Sequence, residues 1–191
     1  MAFIGTSSDD EDFFESNRDE AGYVPNYVGT FAARPAVFAA WKQLSAAVRS
    51  SMDLRRYELA TFAAATALRS SYCSLAHGKI LSEQFMPADE VAELVTGQPT
   101  DPVDRAVMSF ARKVALSADR ITQADVDHLR VLGLSDEDVL DVVLAAAVRC
   151  FFSKTLDATG TPPDSAYHAL LPAGLREVLT VGRDIDPPQT G

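Results

Sequence analysis

The chain has 191 residues, 47% of them hydrophobic and 23% charged, and a formal net charge of −10 at pH 7. This length and composition fit one globular domain, and the negative charge argues against a nucleic-acid backbone or an anionic membrane surface as a partner. Two cysteines are too few for a disulfide framework, and the first residues lack a signal-peptide pattern. The longest apolar run, 139–148, is too short to span a bilayer. We therefore expect a cytoplasmic protein.

Acidic residues crowd the first twenty positions, where Arg18 is the single basic residue. They are Asp9, Asp10, Glu11, Asp12, Glu15, Asp19 and Glu20. Such a block predicts a mobile, solvated arm over 1–22. The alternative is an arm that docks on a neighbouring subunit through Phe13, Phe14 and Tyr23. We expect one folded domain over 23–185 and a tail over 186–191.

The pattern of the rest of the chain is helical, with no alternating strand pattern to compete. Predicted helices cover, in chain order, 35–50, 53 or 54–68, about 71–85, 87–97, a segment from 102 through 116, segments beginning near 122 and 135, 166–171 and 175–179. Ser70, Asp101, Thr122 and Ser135 each stand at a predicted helix start. The helix from Ser135 to Gly160 is apolar on more than one face and should be central. The fold class is all-α.

Three side chains capable of acid, base or nucleophile chemistry fall in two consecutive predicted helices. Cys73 and His77 are four residues apart, which places them on one helix face. The hydroxyl of Ser70 is expected to cap the helix, and the positive end of that helix favours the thiolate form of Cys73. With Glu58 to orient the imidazole, these residues form a candidate nucleophile site.

Each of these residues also has a structural interpretation. A lone cysteine on an apolar helix is usually a small core residue, and we interpret Cys150 in this way. Glu58 lies in an apolar segment, where a carboxylate is costly unless it is paired. Arg55 or Arg69 could be a purely structural partner for it.

The same four positions resemble a known motif. Glu58, Ser70, Cys73 and His77 are similar to the motif of the alkylhydroperoxidase D branch of the carboxymuconolactone decarboxylase superfamily, in which a glutamate precedes C-x-x-C-x-x-x-H by twelve residues. The segments 24–31, 151–160 and 179–183 resemble the longer, peroxidase-related members. The resemblance covers about 24–185.

This resemblance implies an all-helical subunit that assembles into homo-trimers or homo-hexamers. It also implies reduction of a hydroperoxide substrate by Cys73, with a proton relay through His77 and Glu58. The reaction would need no metal and no organic cofactor.

Ser70 is where the chain departs from the motif, because the family has its first cysteine there. A serine cannot resolve an oxidised Cys73 by forming a disulfide. Turnover would then depend on an external thiol reductant, or on Cys150 as a distant resolving partner. Ser70 could still cap the helix or donate a hydrogen bond to the Cys73 thiolate.

Two other functions remain open. One is a lyase or isomerase of the decarboxylase branch, using His77 and Glu58 on a small organic acid held by Arg69 or Arg149. The other is a non-enzymatic oligomer that senses redox state through Cys73.

Overall fold

The computed structural model describes residues 2–4, 10–18, 22–96 and 99–188, with the side chain of Thr96 excluded. Within these ranges there is no strand, which confirms the all-α prediction. The α-helices are α1 (Glu11–Glu15), α2 (Asn26–Phe31), α3 (Pro35–Ser50), α4 (Leu54–Ala67), α5 (Ser71–Gln84), α6 (Ala88–Thr96), α7 (Pro102–Ser117), α8 (Gln123–Val131), α9 (Asp136–Thr159), α10 (Tyr167–Leu170) and α11 (Ala173–Leu179). In the described part of the chain, no helix combines the length and the apolar character that a membrane span needs.

Some predicted features lie outside the described residues. They are the acidic positions Asp9, Asp19 and Glu20, the expected helix end at Gly97, and the last three residues of the tail.

Helix α4 is the centre of the molecule. Residues 57–65 are buried without interruption, because their small alanines allow neighbours to approach on every side. The helix packs against α5, α7 and α9. Any polar side chain on this part of α4 is therefore enclosed by other helices.

Helix α9 is also central, as its apolar composition predicts. It begins with a capping box in which the Asp138 carboxylate accepts a hydrogen bond from the Ser135 N–H over 2.9 Å. It ends at Gly160, whose φ of +77° is left-handed. One face, however, leaves Leu140, Leu144 and Phe151 exposed.

The described part of the acidic segment contacts α3 of the same chain. The Phe13 ring lies edge-on to Phe38, with 6.2 Å between ring centroids. Lys42 Nζ donates to Asn17 Oδ1 over 2.7 Å. Docking of this segment on a neighbouring subunit stays a prediction.

Candidate active site

A tight turn joins α4 to α5 and sets how the two helices face each other. Arg69 has a φ of +58°, a left-handed conformation that costs a non-glycine residue about 1 kcal/mol. The Ser70 N–H bonds back to the Ala65 carbonyl over 2.9 Å. The chain thus reverses within a few residues, and α5 runs back along α4.

The C-terminal segment closes over this turn. The Gly182 N–H donates to Ser71 Oγ over 2.8 Å. A Cβ atom at Gly182 would lie 1.9 Å from the Arg69 carbonyl oxygen, so the two backbones are in direct contact. This contact fastens the first turn of α5, which carries Cys73.

Ser70 precedes α5 as predicted, but the expected side-chain cap is wrong. Its hydroxyl makes no cap hydrogen bond, and the backbone carbonyl of Ser70 accepts the Ser74 N–H over 2.9 Å instead. Ser70 Oγ is buried without a well-formed hydrogen bond, although it interacts with the Asp157 carboxylate. An interaction with a carboxylate on α9 thus takes the place of the cap that the local sequence predicts.

Glu58 and His77 form a direct pair, as the motif predicts. Glu58 Oε2 lies 2.6 Å from His77 Nδ1, and Thr61 Oγ1 is 3.2 Å from the same nitrogen. Both members of the pair are buried. The structural partners considered for Glu58 were wrong. Arg55 pairs with Asp104, and among the described residues the ion-pair partners of Glu58 are His77 and Arg49 rather than Arg69.

The surroundings of His77 favour the neutral imidazole. Burial lowers the pKa of His77, the charge of Arg149 lowers it further, and the neighbouring Glu58 carboxylate opposes both effects only in part. A neutral ring that faces a carboxylate places its proton on Nδ1. Nε2 then carries a lone pair and can accept a proton.

Cys73 lies against a buried cation that the motif does not contain. Arg149 Nη1 donates to Cys73 Sγ over 3.4 Å, and the two residues are only 6% and 1% exposed. Burial alone would lower the pKa of Arg149, but its interactions with Cys73 and Tyr57 outweigh this and raise it. The guanidinium therefore stays charged beside the sulfur.

The role of Arg149 was missed in the sequence, where it was considered only as an anchor for an organic acid. A signal was present. Arg149 is the one charged residue between Asp141 and Lys154, in an otherwise apolar stretch of a helix expected to be central. A cation in such a position needs a buried partner.

The second cysteine is separate from this contact. Cys150 follows Arg149 on α9, is partly exposed, and has a pKa raised by burial. Both cysteines are free thiols. The role of Cys150 as a resolving partner stays a prediction. No three side chains of the His, Cys, Asp or Glu types cluster as a metal site would within the described ranges.

Comparison with known proteins agrees with the motif and the fold. Residues 35–98, which include all four site positions, match the carboxymuconolactone decarboxylase family. This part of the chain is therefore similar to the carboxymuconolactone decarboxylase family. No curated protein sequence is significantly similar to it.

Solved structures share the fold at low identity. A peroxidase-related protein from Ralstonia eutropha JMP134, described as an alkylhydroperoxidase AhpD core, has 23% identity and a TM-score of 0.75 over 95% of this chain and 98% of its own. A peroxidase-related protein from Silicibacter sp. TM1040 has 21% identity and a TM-score of 0.77 over 87% and 94%. The debrominase Bmp8 in complex with 2,3,4-tribromopyrrole has 19% identity and a TM-score of 0.68 over 88% and 90%. These likenesses show the fold that this chain shares with all three proteins.

Proposed function

We propose that this protein is a thiol-dependent reductase of organic hydroperoxides, with Cys73 as its nucleophile. The observation that carries the proposal is the buried Arg149 guanidinium, 3.4 Å from the Cys73 sulfur. The attacking species in such chemistry is the thiolate, and a fixed cation beside the sulfur favours it. The neighbouring His77–Glu58 pair supplies a base and the carboxylate that orients it.

The first half-reaction oxidises Cys73. Its sulfur attacks the terminal oxygen of the hydroperoxide, an S–O bond forms, and the O–O bond breaks. The thiol proton passes to Nε2 of His77, directly or through a water, and then to the leaving alkoxide. The products are a sulfenic acid and an alcohol. Glu58 stabilises the imidazolium while it holds the proton.

The second half-reaction restores the thiol with an external reductant, because Ser70 cannot form a disulfide. One reductant thiol attacks the sulfenic sulfur, which releases water and leaves a mixed disulfide. A second thiol attacks that disulfide, frees Cys73 and leaves with the first as the oxidised product. This cycle uses no metal or organic cofactor and suits the reducing cytoplasm.

We also propose that the chain works as a homo-oligomer, a trimer or a hexamer. Apolar side chains exposed on α3 and α9 support this, since contact with another subunit would remove them from water. They are Val37, Leu44, Leu140, Leu144 and Phe151.

The experiment follows the loss of cumene hydroperoxide with excess dithiothreitol, comparing the wild type with Cys73→Ser and Cys150→Ser. We expect many turnovers per wild-type chain, none for Cys73→Ser with helix content and assembly retained, and near-normal turnover for Cys150→Ser. If the Cys150→Ser variant also lost turnover, Cys150 would be identified as the resolving thiol. Wild-type rates in Cys73→Ser would overturn the nucleophile assignment.

The second candidate is a lyase or isomerase reaction on a small organic acid. The observation that favours it is the His77–Glu58 pair, which is complete without the thiol. A protein that consumes no hydroperoxide, yet loses a reaction on an organic acid when His77 is replaced, would establish this alternative. Oxidation of Cys73 that changes assembly without turnover would indicate a redox sensor instead.

A further inference from the structure

A surface groove runs between α3 and the start of α4, directly outside the proposed reaction centre. It has a volume of about 660 Å³, and its walls include Trp41, Lys42, Ser45, Arg49, Met52 and Leu54. The reacting groups themselves are buried, with Cys73 only 1% exposed. A substrate must therefore reach them from a neighbouring surface.

Two side chains of the groove contact residues of the buried site. Ser45 Oγ lies 3.2 Å from the hydroxyl of Tyr57, which interacts in turn with Arg149. Arg49 Nε lies 3.9 Å from Glu58 Oε1, and the Arg49 side chain is half exposed. One layer of side chains thus separates the groove from the groups around Cys73 and His77.

The groove is cationic in a strongly acidic protein. Lys42 and Arg49 line it, and none of the described residues that line it carries a carboxylate side chain. Within the described part of the chain, Lys42 contacts uncharged groups, the Asn17 amide oxygen and the Phe38 ring. Arg49 meets a carboxylate only at the long distance to Glu58. Both cations can therefore receive an anion from solution.

The other part of the groove surface is apolar, through Trp41, Met52 and Leu54. An apolar wall with cationic residues fits a ligand that has a hydrocarbon part and a negative charge. We propose that this groove binds the organic part of the substrate, and that the preferred substrates are hydroperoxides carrying a carboxylate on a hydrocarbon chain. The inference rests on the proposed function for the identity of the reacting group, whereas binding in the groove can be tested without it.

Trp41 is the single tryptophan of the chain, so its fluorescence reports directly on the groove. The experiment titrates the full chain, with no peroxide present, with decanoate and with decanol at low ionic strength. We expect a saturable change with decanoate, a dissociation constant for decanol at least about fivefold higher, and weakening of decanoate binding by added salt.

Charge variants identify the cation that is responsible. Lys42→Glu is expected to weaken decanoate binding about tenfold with little effect on decanol, while Lys42→Arg keeps wild-type affinity. Lys154→Glu changes the net charge equally on an exposed part of α9 and should change affinity by less than about twofold.

Equal affinity for decanoate and decanol, no saturable change, or equal weakening by Lys42→Glu and Lys154→Glu would each overturn the inference. If a second copy of the chain covered the groove, decanoate would cause no saturable change in fluorescence. Saturable decanoate binding by a protein that consumes no hydroperoxide would leave the groove assignment standing and the proposed function wrong.

Discussion

The Arg149 guanidinium and the Cys73 sulfur are hydrogen-bonded across 3.4 Å in the interior of the molecule. A buried cation is costly unless an anion compensates it. Among the described residues Arg149 forms no ion pair with a carboxylate; it interacts with Cys73 and Tyr57 and lies over the Phe152 ring. The contact therefore places a positive charge beside the sulfur and gives the buried guanidinium a hydrogen-bond acceptor.

Replacement of Arg149 should reduce the reactivity of Cys73. A hydrogen bond to a charged group contributes about 1.5–3 kcal/mol, so Arg149→Met should slow alkylation of Cys73 by iodoacetamide roughly 10- to 100-fold near neutral pH. The measurement is made on variants that also carry Cys150→Ser, so that Cys73 is the only thiol that can react. Arg149→Lys keeps the charge and should retain more reactivity. Equal rates for wild type and Arg149→Met would show that the guanidinium does not activate the thiol.

Restoring a cysteine at position 70 should create a disulfide with Cys73. Ser70 directly precedes α5, three residues before Cys73, which is the spacing of C-x-x-C pairs at helix starts. Ser70→Cys treated with mild oxidant is therefore expected to lose two hydrogens in intact-mass spectrometry. Ser74→Cys is the matched control, because that buried serine adjoins Cys73 on the same helix and should form no such bond. An unchanged mass for Ser70→Cys would mean that the two positions are not juxtaposed.

Acid should destabilise the fold through His77. Burial lowers the pKa of His77 in the folded state below its usual value of 6.5, so below that pH the unfolded chain binds a proton that the folded chain does not. Stability should fall as pH decreases from 6.5, by about 1.4 kcal/mol per pH unit from this group, until the folded pKa is reached.

Denaturant unfolding at a series of pH values measures this slope. His77→Gln should lose this contribution to the slope, whereas His128→Gln, at an exposed position of α8, should keep it. An unchanged slope in His77→Gln would contradict a neutral, buried imidazole.

Position 182 should not tolerate a side chain, because Gly182 lies so close to the backbone of Arg69. Gly182→Ala places a Cβ against a backbone oxygen, and we expect it to destabilise the fold by about 1–3 kcal/mol. Gly174→Ala is the control. It lies in α11 with no atom within 4 Å of the added carbon, and it should stabilise by about 0.5–1 kcal/mol because alanine favours helix. Equal unfolding temperatures for the two variants would show that the turn is free to move.

Helices α3 to α11 could be predicted from the sequence because their signals are local, whereas the short helices α1 and α2 were not predicted. Asp101 accepts hydrogen bonds from the N–H groups of Val103 and Asp104. Ser135 and Asp138 form the capping box that begins α9, as their positions indicate. The Glu58–His77 pair was predicted in the same way, from spacing within two adjacent helices and the family motif. These features need no knowledge of how distant segments pack.

The Arg149–Cys73 contact could not be predicted in this way. The two residues are 76 positions apart, and their meeting depends on how α9 crosses α5. Periodicity identifies the buried faces of both helices, but it does not determine which side chains of those faces touch. The Ser70 hydroxyl is a similar case, because it interacts with the Asp157 carboxylate of α9 and does not cap α5.

The most direct test of this account is the chemical state of Cys73 after one equivalent of cumene hydroperoxide. The reduced protein is exposed in the presence of a sulfenic-acid trap and analysed by intact-mass spectrometry and peptide mapping. We expect one trapped adduct per chain, at Cys73. In Arg149→Met, this adduct should not form at short reaction times. An unmodified Cys73 after exposure would contradict the account and mean that the thiol is structural.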